Sequence, residues 1–169
     1  MTDAVEIDVV PYERSGDPIP LEVTERLADE GRIRYMKYAF RSVGKLQALN
    51  EALGERVYKF CGADSWTLRY LLLGCSGIMT AVAAVLPREN VELLRLVQRG
   101  EVEAAHRYWY EKLLPWTDCA FYECWQWAHR LALKWMGVIS SDRGLPPQRS
   151  PNEYQREELK AALRYIGKL

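Results

Sequence analysis

Three consecutive stretches decide the fold: Ile33-Arg-Tyr-Met-Lys-Tyr-Ala39, then Gly44-Lys-Leu-Gln-Ala-Leu-Asn-Glu-Ala-Leu53 closed by Gly54, then Arg56-Val-Tyr-Lys-Phe-Cys61 closed by Gly62. They read as strand, helix and strand, with glycine ending the second and third. Upstream, Val5 to Val10 alternates and is β-branched, as a strand is. The turn-rich run Tyr12-Glu-Arg-Ser-Gly-Asp-Pro18 follows it. Leu21 to Asp29 then places Leu21, Val23, Leu27 and Ala28 at mostly helical spacing, between Pro20 at a first turn and Gly31 at a terminus. Downstream come a helix from Ser65 to about Leu73, an apolar strand from Gly77 to Ala83, and a helix opened by Pro87 that stops near Gly100. Four successive βα units with short links predict parallel strands with helices outside them, because each crossover must return the chain to the same end of the sheet.

The class is therefore α/β, assigned to residues 1–100. Residues 101–169 read as a helical appendage: Val102 to Leu114, Cys119 to Met136 and Asn152 to Tyr165, the last after the proline-rich link Leu145-Pro-Pro-Gln-Arg-Ser-Pro151. A closed (β/α)8 TIM barrel has eight strands in about 250 residues, so four units are half a barrel. Two edge strands would be left with unpaired backbone groups, which predicts a partner: a missing N-terminal half-barrel or a second copy in a homo-oligomer.

Composition narrows the function. Lysine plus arginine and aspartate plus glutamate both number 23, so no excess positive field exists for nucleic acid or anionic lipid. Cys61, Cys75, Cys119 and Cys124 form neither a CxxC pair nor a zinc pattern, and no signal-peptide pattern is present. A reduced, cytoplasmic protein is expected. The uncharged run Tyr70 to Pro87 falls short of the roughly 20 apolar residues of a membrane span and is interrupted by Gly74, Ser76, Gly77 and Thr80. His106 and His129 have no carboxylate or cysteine at ligand spacing, so neither a metal nor another cofactor is called for. The series Tyr108, Trp109, Tyr110, Trp116, Phe121, Tyr122, Trp125, Trp127 and Trp135 reads as helix packing faces.

Tyr35-Met-Lys-Tyr-Ala39 sets a lysine near a strand end, where barrel enzymes place catalytic groups. The order Tyr12, Lys37, Cys61-Gly-Ala-Asp64, Gly77-Ile-Met-Thr80 resembles the second half of the dihydrodipicolinate synthase and N-acetylneuraminate lyase family. There the Schiff-base lysine strand reads like isoleucine-lysine-glutamate-alanine, the next ends in a glycine-aspartate turn, and the one after is similar to glycine-valine-isoleucine-serine. The similarity continues through Arg99-Gly-Glu-Val-Glu-Ala-Ala105, Leu133-Lys-Trp-Met-Gly137, Leu145-Pro-Pro and Glu158-Leu-Lys-Ala-Ala-Leu163.

The resemblance implies a lyase of aldolase, dehydratase or synthase type acting on pyruvate or another 2-oxo acid. Lys37 would be the amine nucleophile and Tyr12 the strand-end tyrosine that shuttles protons. A competing alignment puts Asp8 at the tyrosine position, matching Val10-Pro11 to the family's valine-proline pair. The run Tyr12-Glu-Arg14 looks more like the dehydratase branch acting on sugar acids, and Tyr12 is preferred. Arg14 is a candidate for a distal carboxylate, through the bidentate match of guanidinium to that group. Gly62 and Asp64 are candidates to shape the pocket, and Met79 and Thr80 to line its wall. Arg14, Gly62 and Met79 also have plainer readings: a solvent-facing arginine, an ordinary turn glycine, a core methionine.

The family's threonine-threonine or serine-threonine carboxylate-binding segment on an earlier strand has no counterpart in this sequence. The resemblance therefore implies a split or partial enzyme completed by an N-terminal half. The alternatives are a non-catalytic structural or regulatory half-barrel, or an enzyme of the same family with different chemistry.

Overall fold

The computed structural model describes residues 6–120 and 124–169. The chain divides into two units, residues 1–80 and 81–169. In the first unit, β1 (Tyr12–Arg14), β2 (Tyr35–Ala39), β3 (Tyr58–Cys61) and β4 (Gly77–Ile78) alternate with α1 (Leu21–Asp29), α2 (Val43–Leu53) and α3 (Thr67–Leu72). The sheet order is β1-β2-β3-β4 and every pairing is parallel, so each crossover advances the sheet by one strand. This is the α/β pattern of half a (β/α)8 barrel.

Helix α2 shows how the sequence builds the layer. Ser42 caps it by accepting the Lys45 N–H, Gly54 ends it with a positive φ of 52°, and Leu46, Leu49 and Leu53 line one buried stripe. Tyr38 on β2 packs its ring 5.4 Å from that of Tyr70 on α3, and the Asn50 amide donates to the Leu73 carbonyl. The core of the unit thus lies between the strands and the helices.

The expected first strand is corrected. Residues 6–10 form no strand; β1 begins at Tyr12, inside the run that reads as a turn. Pairing outranks local pattern here: Pro11 supplies the carbonyl that takes the Lys37 N–H, and the ladder runs from Tyr12 opposite Lys37 to Arg14 opposite Ala39. Val5 lies outside the described residues. The fourth strand is shorter than Gly77 to Ala83, because its ladder closes with the Met79 N–H on the Cys61 carbonyl. Beyond it Val82–Val85 is helical (α4), and an apolar run without alternation has no period to tell a strand from a buried helix.

The second unit holds α4, α5 (Pro87–Gln98), α6 (Val102–Tyr108), α7 (Leu114–Cys119), α8 (Trp125–Trp135) and α9 (Glu153–Tyr165). A π-helical segment, Trp109–Leu113, joins α6 to α7, so the first appendage helix continues past Leu114. Pro115 explains the wider turn: it has no N–H to give to a carbonyl one turn back, and its ring crowds that carbonyl. The helix expected from Cys119 instead starts at Trp125, since Cys119 ends α7; Phe121 and Tyr122 lie outside the described residues. Helix α9 opens with a reciprocal capping box between Asn152 and Gln155. Leu93, Leu113, Trp116, Leu131 and Leu159 are fully or almost fully buried in this unit.

Candidate functional site

Strand alternation assigns every strand side chain of the first unit to one of two environments. Glu13, Met36, Tyr38, Lys59 and Cys61 are buried on the helix side. Tyr12, Arg14, Tyr35, Lys37, Ala39, Tyr58 and Phe60 occupy the opposite face and are half-buried or exposed.

On that open face the register aligns Tyr12, Lys37, Phe60 and Gly77 in one row across the four strands. The Lys37 Nζ stands 4.3 Å from the centroid of the Tyr12 ring, within reach of a cation–π attraction. Gly62 follows β3 directly, and its N–H donates to the Tyr38 carbonyl at 2.8 Å. A Cβ at Gly62 would lie 2.7 Å from Lys37 Cε, 2.9 Å from Lys37 Cγ and 3.1 Å from Ala39 Cβ. The lysine stem therefore leans toward the C-terminal end of the strands over a bare glycine. Gly77 plays the same part for the Phe60 ring, with Cδ1 2.7 Å from the position of a Cβ.

Two strand lysines are thus sorted by parity. Lys59 is buried on the helix side and donates to the carbonyls of Gly54 at 3.0 Å and Val57 at 3.1 Å; burial pushes its pKa down. Lys37 is the strand lysine whose amine faces the open side. Beneath it, burial raises the Cys61 thiol to about 11 and the Tyr70 hydroxyl to about 12, and lifts Tyr38 further above the usual phenol range. These helix-side groups stay protonated and serve packing: Tyr38 donates to the Ser42 carbonyl at 2.6 Å and Tyr70 to the Phe40 carbonyl at 2.8 Å.

The structure joins Tyr12, Lys37 and Gly62 directly. Arg14 shares their face, paired with Ala39 one step further along β2, and is exposed. Asp64 opens the 3-10 turn after β3, where its backbone carbonyl accepts the Thr67 hydroxyl at 2.8 Å, and its side chain is buried. Met79 is 41% exposed just past β4, and the Thr80 hydroxyl beside it is buried without a hydrogen-bond partner among the described residues. Asp8 is exposed and precedes β1, four residues from the position that faces Lys37.

Sequence reading missed Glu13, whose side chain is fully buried between the two outward residues Tyr12 and Arg14. Placing the strand at Tyr12–Arg14 would have revealed it by alternation alone. In the second unit an open cavity of about 320 Å³ is lined in part by Trp125, His129, Arg130 and Gln148, none of them among the candidate site residues named from sequence. Among the described residues no cluster of three metal-ligating side chains occurs, and no helix is long and apolar enough to cross a membrane.

Fold and site together define an α/β protein of the (β/α)8-barrel type, with a strand lysine on the face opposite the helices. The chain belongs to the dihydrodipicolinate synthetase family, whose profile matches residues 8–166. It is 29% identical over 170 residues to a 4-hydroxy-tetrahydrodipicolinate synthase of Syntrophus aciditrophicus, covering 99% of this chain and 58% of that protein. It is 31% identical to the synthase of that name from Geotalea daltonii, over 79% of this chain and 46% of that protein. The crystal structure of dihydrodipicolinate synthase from Thermotoga maritima superimposes with a TM-score of 0.89 at 23% identity, covering 99% of this chain and 59% of that one, a likeness that carries the fold. The chain thus spans about half the length of these relatives, 46% to 59%.

Proposed function

We propose that this chain supplies the nucleophile-bearing half of a Schiff-base lyase acting on pyruvate or another 2-oxo acid. The observation that carries this reading is the Lys37 amine held 4.3 Å over the Tyr12 ring, its stem seated on Gly62, on the sheet face opposite the helices. The Lys37 amine attacks the C2 carbonyl through its nitrogen lone pair to give a carbinolamine. Tyr12 passes a proton to the carbinolamine oxygen, which leaves as water, and the resulting iminium accepts the electron pair released when a carbon-carbon bond breaks or when a proton leaves C3, the enamine so formed then expelling a hydroxyl as water in a dehydration. Arg14, on the same face as both, takes a distal carboxylate of a second substrate or of a sugar acid. Gly62 and Asp64 shape the pocket floor, and Met79 and Thr80 line its wall beyond β4.

The remaining strands of the barrel, from the same polypeptide, another chain or a second copy, cover the open face and bring the groups that hold the 2-oxo acid carboxylate. Family membership and the shared fold support this reading. The test is incubation with pyruvate, borohydride reduction and peptide mapping, first on this chain and then with a half-barrel of the family's N-terminal type added. Added mass on Lys37 in either arm is the expected result. A folded chain that stays unlabelled in both arms would instead indicate a half-barrel that serves as a structural or regulatory subunit.

A further inference from the structure

The nucleophile's orientation depends on β1, a three-residue strand paired only with β2 among the described strands. So short an edge strand has few ladder bonds to fix its position, yet it carries Tyr12. What anchors it lies on the other face. Glu13 is 0% exposed, and one carboxylate oxygen accepts the Ile19 N–H at 3.1 Å and pairs with the Lys45 ammonium. Lys45, in the first turn of α2, also donates to the Ile19 carbonyl at 2.9 Å. Both backbone groups of Ile19 are therefore gripped by one ion pair, which ties β1, the β1–α1 connection and the start of α2 together. Tyr38, the register partner of Glu13 on β2, bonds to the Ser42 carbonyl at the same helix start. Both strands of the Tyr12–Lys37 pair are thus referenced to one point.

We infer that Glu13, clamped to Lys45 beneath the sheet, is a positioning residue that holds Tyr12 over Lys37. Its effect on turnover rests on the proposed Schiff-base reading; its effect on strand geometry does not. A carboxylate buried at a strand edge, with a lysine to neutralise it, is a charge-assisted tie and stronger than the neutral bonds of a three-residue ladder. Period two makes the coupling direct, because the residue that points into the clamp is flanked by the two that point to the open face.

The experiment measures backbone amide exchange at Lys37, whose N–H bonds to the Pro11 carbonyl, and at Ile19, in the full chain. Glu13→Ala should speed exchange at both sites by roughly 10- to 100-fold, the factor for losing a hydrogen bond to a charged group. Glu13→Gln keeps the volume and an acceptor for Ile19, and so guards against a variant that does not fold. It should show a smaller rise at Lys37 and little at Ile19. Unchanged exchange at Lys37 in both variants overturns the inference.

A second readout separates positioning from plain support. With turnover measured, Glu13→Ala should lower kcat and slow, without abolishing, borohydride trapping at Lys37. In a Tyr12→Phe background it should cost nothing further, because the group it positions is already gone. Multiplicative losses would mark Glu13 as merely structural. Should wild type fail to trap pyruvate, the Schiff-base reading falls, while the exchange result still decides the clamp.

Discussion

Gly62→Ala tests the site where its geometry is tightest. The added Cβ would meet Lys37 Cε at 2.7 Å and Cγ at 2.9 Å, about 0.6–0.8 Å inside the ~3.5 Å at which carbon atoms rest in contact. Gly62 has no left-handed backbone to lose, so alanine is admissible there and the conflict is with the lysine alone. Ala39 Cβ at 3.1 Å blocks relief in one direction, so the flexible lysine stem must give way. A displacement on the order of 1 Å takes the amine off its line to Tyr12 and to any bound carbonyl, and misplacement of that size costs roughly 100-fold in rate. That factor corresponds to about 2.7 kcal/mol of transition-state stabilisation.

Stability should change far less. The loss of unfolded-chain freedom stabilises by about 0.4–1 kcal/mol, against a crowding penalty of comparable size at a movable side chain. The assay is the rate of borohydride-trapped pyruvate on Lys37, with thermal unfolding measured in parallel and under whichever arm gives trapping in wild type. Slow trapping with a nearly unchanged Tm is expected. Trapping at the wild-type rate would show that Lys37 does not need the space over Gly62, and the proposed seat of the nucleophile would be wrong.

Further expectations follow from the same geometry. Tyr12→Phe should still give a pyruvate adduct on Lys37, formed more slowly, and should lower turnover by about 10²- to 10⁴-fold, the worth of a positioned proton donor; full turnover in single-turnover kinetics would pass the role to another group. Burial raises Cys61 to about 11 and Cys75 to about 12 from an ordinary 9.0, so the folded chain keeps protons that the unfolded chain releases. Their contribution to stability is full below pH 9.0 and is lost as pH rises through the folded values. Urea titrations at about pH 8 and about pH 10 should show the loss, and a smaller one in Cys75→Ala. Asn152→Ala removes one half of the α9 capping box and should cost about 1 kcal/mol in chemical denaturation, with Gln155→Ala adding less than its own single effect.

The sequence made some elements legible because their boundaries are chemical. Pro20 and Gly31 bracket Leu21–Asp29, and the helix occupies those residues; Gly54 and Gly62 end α2 and β3 as read. Where a boundary depends on pairing with a distant strand, local pattern misled. Val5 to Val10 has the better strand pattern, yet the register with Lys37 selects Tyr12–Arg14. Appendage helices were legible as helices, but not the π-turn at Trp109–Leu113 or the break after Cys119. The site behaved alike. Lys37, Tyr12 and Gly62 were named from a resemblance in motif order and meet in space, whereas Glu13 and Lys45 stand 32 positions apart, are paired by no motif and are joined only by the fold.

The parity of β2 and β3 gives this arrangement its logic. Each strand carries one lysine, Lys37 and Lys59, on opposite faces of the same sheet. On the helix side polar atoms are engaged in packing: Lys59 by two carbonyls, one Glu13 carboxylate oxygen by Lys45 and Ile19, Tyr38 and Tyr70 by the carbonyls after β2. An amine so engaged points away from the open face and would leave two carbonyls orphaned if it moved. The open face meets none of these demands, so a lysine there is free to be aimed by a ring beneath it and a glycine beside it. A one-residue slip of β2 against its neighbours would exchange the two environments, burying Lys37 and exposing Met36 and Tyr38. The clamp proposed at Glu13 and the Tyr38 hydroxyl bond would oppose that slip from the helix side, so that groups on the far face of the sheet would decide where Lys37 points.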